Sequence, residues 1–301
     1  MTRRLMMLTI GLFTTAGCEG SLNQGYEKFE DTGEGEGEGE GEGEGEGEGE
    51  GEGEGEGEGE IPETCTNAWY PIHEAGWTKT YRVTFDGGEG TGTESGYGPL
   101  TDHELAETGD IYGVNTIIES STWTYNIIQS VGCDTDGEGM FLYDYAGDWT
   151  TSLFGLIDIS GSVDASLDPG RRFLPPEYAV GSSGNWNYNY TTTMVSTQDG
   201  GGAGEASETT SSINYEGTFV EAGISSMVLE TGDSVMAYKV TNTFVRNGNP
   251  PFGAPMPASG YIEQWYVKGL GLVKEVTIDD AKPDPVLTKD LTSYTGLEII
   301  E

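Results

Sequence analysis

The chain has 301 residues and a formal charge of −39, with thirteen Lys/Arg against fifty-two Asp/Glu. An acidic excess of this size repels nucleic acid and anionic lipid headgroups, which excludes both as partners of the bare surface. With only two histidines and three cysteines, there is little material for nitrogen–sulfur metal sites or for histidine-based catalysis.

At the N-terminus, Arg3 and Arg4 precede an apolar stretch from Leu5 to Phe13, and small residues then lead to Cys18. A membrane-spanning helix needs about 18 or more apolar residues, so this segment reads as a secretory signal. The tetrad Thr15-Ala16-Gly17-Cys18 resembles the signal of bacterial lipoproteins, with Thr where Leu is usual. That resemblance implies a signal peptide over 1–17 and acylation of Cys18. It also implies a mature protein held by lipid in a bacterial cell envelope, at the outer membrane or cell surface. Several acyl chains, at about 0.8 kcal/mol per buried methylene, anchor stably where one does not. An ordinary signal peptide with an incidental cysteine is the plainer alternative.

Residues 18–60 form the next unit, dominated by fourteen Gly-Glu pairs over 33–60. A strand built from them would bury neither face, since one is bare backbone and the other a ladder of like charges. A helix would forfeit roughly 0.8–1.0 kcal/mol per Gly, more than about 11 kcal/mol in all, with no apolar stripe in return. The composition therefore predicts a disordered acidic tether. Its span lies between about 30 Å for a neutral coil and about 95 Å when taut.

From Ile61 to Glu301 the chain carries ten Lys/Arg and thirty-four Asp/Glu, and its pattern is that of an all-β domain. "GWTKTYRVTFD" places Trp77, Tyr81, Val83 and Phe85 on one face. "TWTYNIIQSV" does the same with Trp123, Tyr125, Ile127 and Val131, "NWNYNYTTTM" with Trp186, Tyr188, Tyr190 and Met194, and "VMAYKVTNTFV" with Met236, Tyr238, Val240 and Phe244. Turn signals separate the runs: "FDGGEG", "DTDGEG", "LDPGRR", "QDGGGAG" and "RNGNPP". One short helix is expected over Asp102–Thr108. The break over 198–207 reads as a hairpin tip, and a boundary near 172–184 is the alternative to one domain. The expected fold is a single curved antiparallel sheet or open β-barrel. With Cys18 assigned to lipid, Cys65 and Cys133 make an even pair in an exported chain, the pattern of a disulfide.

Two stretches carry a family likeness. "CTNAWYPIHEAGWTKTYRVT" sets a Cys, an aromatic-Pro pair and a Gly-Trp-x-x-x-Tyr strand in order, and "EQWYVKGLGLVKEV" is a strand that turns at Gly269 and Gly271 into another. Together they resemble uncharacterised bacterial envelope lipoproteins with a β domain akin to the LolA-like half-barrel. The resemblance implies an apolar or lipid ligand on a concave β face, for which Trp77, Trp186 and Trp265 are the candidate lining residues.

Motifs of enzyme chemistry are sparse. No Gly-x-Ser-x-Gly, Walker loop or His-Glu-x-x-His occurs, and His73 and His103 read as packing or surface residues. Asp134, Asp136 and Glu138, followed by Gly139, match the first half of a calcium loop. The twelfth position, however, is Tyr145 rather than Glu, and a plain hairpin turn explains the same residues. No other cofactor is implied. The expected function is a non-enzymatic, lipid-anchored binding or scaffolding protein with an unknown envelope or surface partner. A carrier of an apolar or lipid ligand is the alternative, and a secreted hydrolase comes third.

Overall fold

The described residues form twelve strands: β1 (Thr78–Phe85), β2 (Gly88–Tyr97), β3 (Ile111–Ser120) and β4 (Trp123–Cys133) come first. β5 (Met140–Leu153), β6 (Ile157–Leu174), β7 (Asn187–Gly200) and β8 (Glu208–Val228) follow. β9 (Ser234–Asn247), β10 (Ser259–Val267), β11 (Gly271–Asp279) and β12 (Leu287–Thr295) complete the chain. The structure is a computed structural model that describes residues 67–71, 76–85, 88–103, 111–133, 139–153, 157–176, 180–181, 187–200, 208–248 and 257–301. The expected signal peptide, Cys18 and the Gly-Glu repeat lie outside the described residues.

Each strand pairs antiparallel with its neighbours in sequence. β1 also pairs with β12, from Thr78↔Thr295 to Phe85↔Leu287, so the order of bonded neighbours returns on itself as a closed barrel. The all-β class and the single antiparallel sheet are as the pattern predicts. An open form would leave β1 and β12 as free edges, whereas here these strands satisfy each other's backbone groups. The ring is thinnest between β11 and β12, where pairing runs only from Lys274↔Asp290 to Thr277↔Leu287. Asp199↔Glu208 closes a β7–β8 hairpin around the Gly-rich break, and β6 pairs with β7 across the alternative boundary, so the sheet is continuous there.

Two local expectations are corrected. "LDPGRR" is not a turn between strands but part of β6. There the partners of Asp144 and Leu142 jump from Ser166 to Arg171, a bulge that absorbs Pro169 and its missing donor. Met236 is 56 % exposed, although it shares the parity of buried Tyr238, Val240 and Phe244. Its neighbours Val235 and Ala237 are the buried ones, because the alternation slips between Ala237 and Tyr238, beside the bulge of β8 between Glu221 and Gly223. Of the expected short helix, Asp102 and His103 form a turn and bend, and 104–110 fall outside the described residues.

The outer face is polar along β6, β1, β12 and β11. β6 turns Asp158, Asp164 and Asp168 outward and buries Ile159, Val163, Ala165 and Leu167. On β1, β12 and β11 the outward Arg82, Asp290 and Lys274 form ion pairs, at 3.6 Å for Arg82–Asp290 and 3.1 Å for Lys274–Asp290. A barrel immersed in lipid would need an apolar band at such positions.

One end of the barrel is stoppered. Residues 67–71 fold back on themselves, with Asn67 Oδ1 accepting from the Trp69 amide (3.0 Å) and Asn67 Nδ2 donating to the Pro175 carbonyl (3.3 Å). The Gly269 amide donates to the Ala68 carbonyl at 2.7 Å. This pins Trp69 against Tyr238 (5.7 Å between rings), and Tyr70 against Phe173 (4.9 Å) and Tyr266 (6.3 Å). Trp77 seals the same end by lying over Gly96, where a Cβ would collide with the indole.

Candidate ligand cavity

Twelve strands enclose more space than their side chains fill. A cavity of about 380 Å³ runs from the stopper residues Tyr70 and Phe173 to Trp123 and Leu287 at the other end of the strands. Its two walls differ in chemistry.

The first wall is polar. Period-two alternation places Lys79 on the face of Tyr81 and Val83, Lys289 between Leu287 and Leu291, and Gln264 between Ile262 and Tyr266. Register then brings these residues together. Lys79 sits opposite Glu94 across β1–β2, Lys289 opposite Glu275 across β11–β12, and Glu275 opposite Gln264 across β10–β11. Glu94 is the hub. Its Oε1 accepts from Lys289 Nζ at 2.6 Å, and its Oε2 accepts from the Tyr81 hydroxyl at 2.8 Å and lies 3.2 Å from Lys79 Nζ. Lys79 also donates to the Leu272 carbonyl at 3.3 Å, and that carbonyl lies 2.8 Å from the Tyr81 oxygen, where it competes with Glu94 for the one hydroxyl proton. A second chain follows: Asn242 Nδ2 and the Tyr266 hydroxyl both donate to Gln264 Oε1 (3.1 Å each), and Gln264 Nε2 donates to Glu275 Oε2 (2.7 Å).

These charges are deeply buried: Lys79, Glu94 and Lys289 are 1, 4 and 6 % exposed. Burial pushes the Glu94 carboxyl up, but the Lys289 and Lys79 ammonium groups and the hydrogen bonds from Lys289 and Tyr81 outweigh it and hold the group down at about 2. For Lys79 the balance is reversed, and burial lowers its ammonium despite Glu94. Lys289 is raised, because the pull of Glu94 and Glu275 exceeds its desolvation. Burial, with the nearby Glu94 and Glu275 adding to it, raises the Tyr70, Tyr81 and Tyr266 hydroxyls, so all three stay protonated.

The second wall is apolar. β4 supplies Trp123, Tyr125 and Ile127, and Val163, Tyr215 and Phe244 join them from β6, β8 and β9. Tyr215 and Phe244 meet edge to face at 6.0 Å. A molecule in this cavity therefore meets hydrocarbon along one side and fixed charge along the other.

The residues expected to line a concave face are placed differently. Trp77 is buried in the stopper, with Lys79 Nζ 4.9 Å from its ring, and does not line the cavity. Trp265 faces outward between Lys239 (4.9 Å) and Lys274 (5.7 Å), its register partners on β9 and β11. Trp186 lies outside the described residues. Trp123 and Trp149 are the tryptophans of the lining. His103 Nε2 is 2.6 Å from Asp144 Oδ2, away from the cavity lining, and His73 lies outside the described residues. So do Cys65, Asp134, Asp136 and Glu138. Cys133 ends β4 opposite Met140.

None of the polar wall is among the lining residues expected from the sequence. Its signal was a lone charged or amide residue on an otherwise apolar face, present at Lys79, Lys289 and Gln264. Glu94 had no such signal, because its face is made of Gly92 and Gly96. No protein-family model, curated protein or solved structure matches the chain.

Proposed function

We propose that this chain is a non-enzymatic, lipid-anchored protein of a bacterial envelope whose barrel is a cup for an amphipathic molecule, displayed on an acidic tether. The observation that carries the reading is the two-walled cavity. Burying three charges costs several kcal/mol that an apolar filling would avoid, and space in the range of about 300–1,000 Å³ with few placed polar groups is the common form of a ligand site. The LolA-like relationship implied by the sequence belongs to the same reading, since it too places an apolar ligand against a concave β face. The cup is tested with a fluorescent single-chain probe. The full chain should bind it at one site, and Val163→Phe, which fills the apolar wall, should reduce binding at least about tenfold; equal binding by the variant would refute the cup.

The anchor rests on the Thr15–Cys18 tetrad. Globomycin should cause an unprocessed precursor to accumulate in the producing cell, and unaltered maturation would remove Cys18 from the scheme. A Cys65–Cys133 bridge completes the proposal. Pro175, which holds Asn67, follows Leu174, and Leu174 and Cys133 both pair with Met140. Two strand spacings of about 4.8 Å set a gap of about 10 Å, and two residues reach about 7 Å with the bridge itself adding about 5.5 Å. Reduction should cost roughly 2–4 kcal/mol in a denaturant titration; an unchanged midpoint would argue against the bridge.

A second reading, attachment of a surface partner without an internal ligand, is favoured by exposed Ile224, Val228 and Met236 on adjoining strands β8 and β9. If it holds, Met236→Glu abolishes partner capture while the Val163→Phe variant captures normally.

A further inference from the structure

An ammonium group has three N–H donors and a carboxylate has two acceptor oxygens. Lys289 Nζ gives one donor to Glu94 Oε1 and lies 4.7 Å from the Tyr81 ring, and no second oxygen or nitrogen acceptor engages it among the described residues. Glu275, its register partner, accepts from Gln264 on Oε2 and has no further hydrogen-bond donor among the described residues. Although they face each other across β11–β12, Lys289 and Glu275 form no ion pair, and both line the cavity. Tyr70 reaches the same space, and its hydroxyl makes no hydrogen bond among the described residues. Arg171, the other cation of the lining, is already engaged.

The group thus presents a donor, an acceptor and a hydroxyl side by side, and its two lysines balance its two glutamates. An anionic head reaching Lys289 would come against Glu275, and a cationic head reaching Glu275 would come against Lys289. A hydroxyl donates and accepts at once and suits both. The apolar wall continues from this point along Tyr125, Ile127 and Val163, and about 380 Å³ accommodates one hydrocarbon tail.

We infer that the ligand is a single-tailed, uncharged amphiphile with a hydroxyl-bearing head, the hydroxyl bridging Lys289 and Glu275 and the tail lying on the apolar wall. This rests on the cup reading and names its ligand class.

The test is calorimetric titration of the full chain with a monoacylglycerol, a fatty acid and an alkylamine of one chain length, each below its micelle threshold. The monoacylglycerol should bind at least about tenfold tighter than either charged analogue. Glu275→Gln keeps an oxygen for Gln264 while removing the negative charge, and should strengthen fatty-acid binding about tenfold. A fatty acid or alkylamine that binds the unaltered chain as tightly as the monoacylglycerol overturns the head-group assignment while leaving the cup intact. So does a Glu275→Gln variant with unchanged preference. Failure of all three to bind overturns the cup itself, and this inference with it.

Discussion

The two walls of the barrel are built from the same backbone ladder and depend on sequence in opposite ways. On the apolar wall, Ile127, Val163, Ala165, Ile213, Tyr215 and Phe244 form one cluster whose members need only volume and hydrophobicity. On the polar wall, Glu94 is useful only if Lys79, Tyr81 and Lys289 all reach it, and each of those is costly to bury without Glu94. The contrast shows where a cup can tolerate substitution and where it cannot. The largest expected effect follows directly. Glu94→Ala leaves two ammonium groups buried without their counter-ion and should cost about 3–5 kcal/mol, a fall in Tm of roughly 10 °C. Replacing the trio together, with Lys79→Met, Glu94→Leu and Lys289→Met, should restore most of that stability, because a buried ion group is not intrinsically better than packed hydrocarbon. If the triple variant is as unstable as Glu94→Ala alone, the mutual dependence of the polar wall is disproved.

Acid sharpens the same comparison. The folded pKa of Glu94 lies below its ordinary value, so its contribution is complete above about pH 4.5 and is lost as pH falls towards about 2. The shift corresponds to roughly 3 kcal/mol. Denaturant titrations across that window should show the loss in the native chain and a smaller one in Glu94→Gln, which has no proton to take up. On the apolar wall, Ile127→Val removes one methyl group and should cost about 0.5–1.5 kcal/mol at every pH. A pH-dependent loss there would mean that the two walls are not separable.

The same contrast explains what could be read in advance. Strands with an apolar face were legible: the parity of Tyr81 and Val83, of Tyr125, Ile127 and Val131, and the turn at Gly269 and Gly271 appear as expected. β2 was not, because "GEGTGTESGY" has no apolar alternation; its glycines make room for rings such as Trp77. Lys79 was passed over although its neighbours at i+2 and i+4 fixed its direction. Periodicity gives direction but not partners, and the Lys289–Glu94 contact joins residues 195 apart in sequence. Pro169 and Gly170 gave a turn signal that belonged to a bulge, since the same residues that end a strand also kink one.

Trp265 supplies the most discriminating prediction. Read from composition, an aromatic in a β-rich chain with an implied ligand belongs on the concave face. Its inward neighbours Gln264 and Tyr266 turn it to the outer face instead, where Lys239 pairs with Glu263 at 2.5 Å and Lys274 with Asp290, each ammonium also lying near the indole. Exposed cation–π contacts contribute about 0.5–1 kcal/mol each and exposed ion pairs about as little. Trp265→Leu should therefore lower stability by roughly 1 kcal/mol and leave probe affinity within about twofold of the native chain. The Val163→Phe variant should do the reverse, losing affinity with a smaller change in unfolding midpoint than Glu94→Ala. Strong loss of binding in Trp265→Leu would place the ligand on the outside of the barrel, where neither wall of the cavity could explain it.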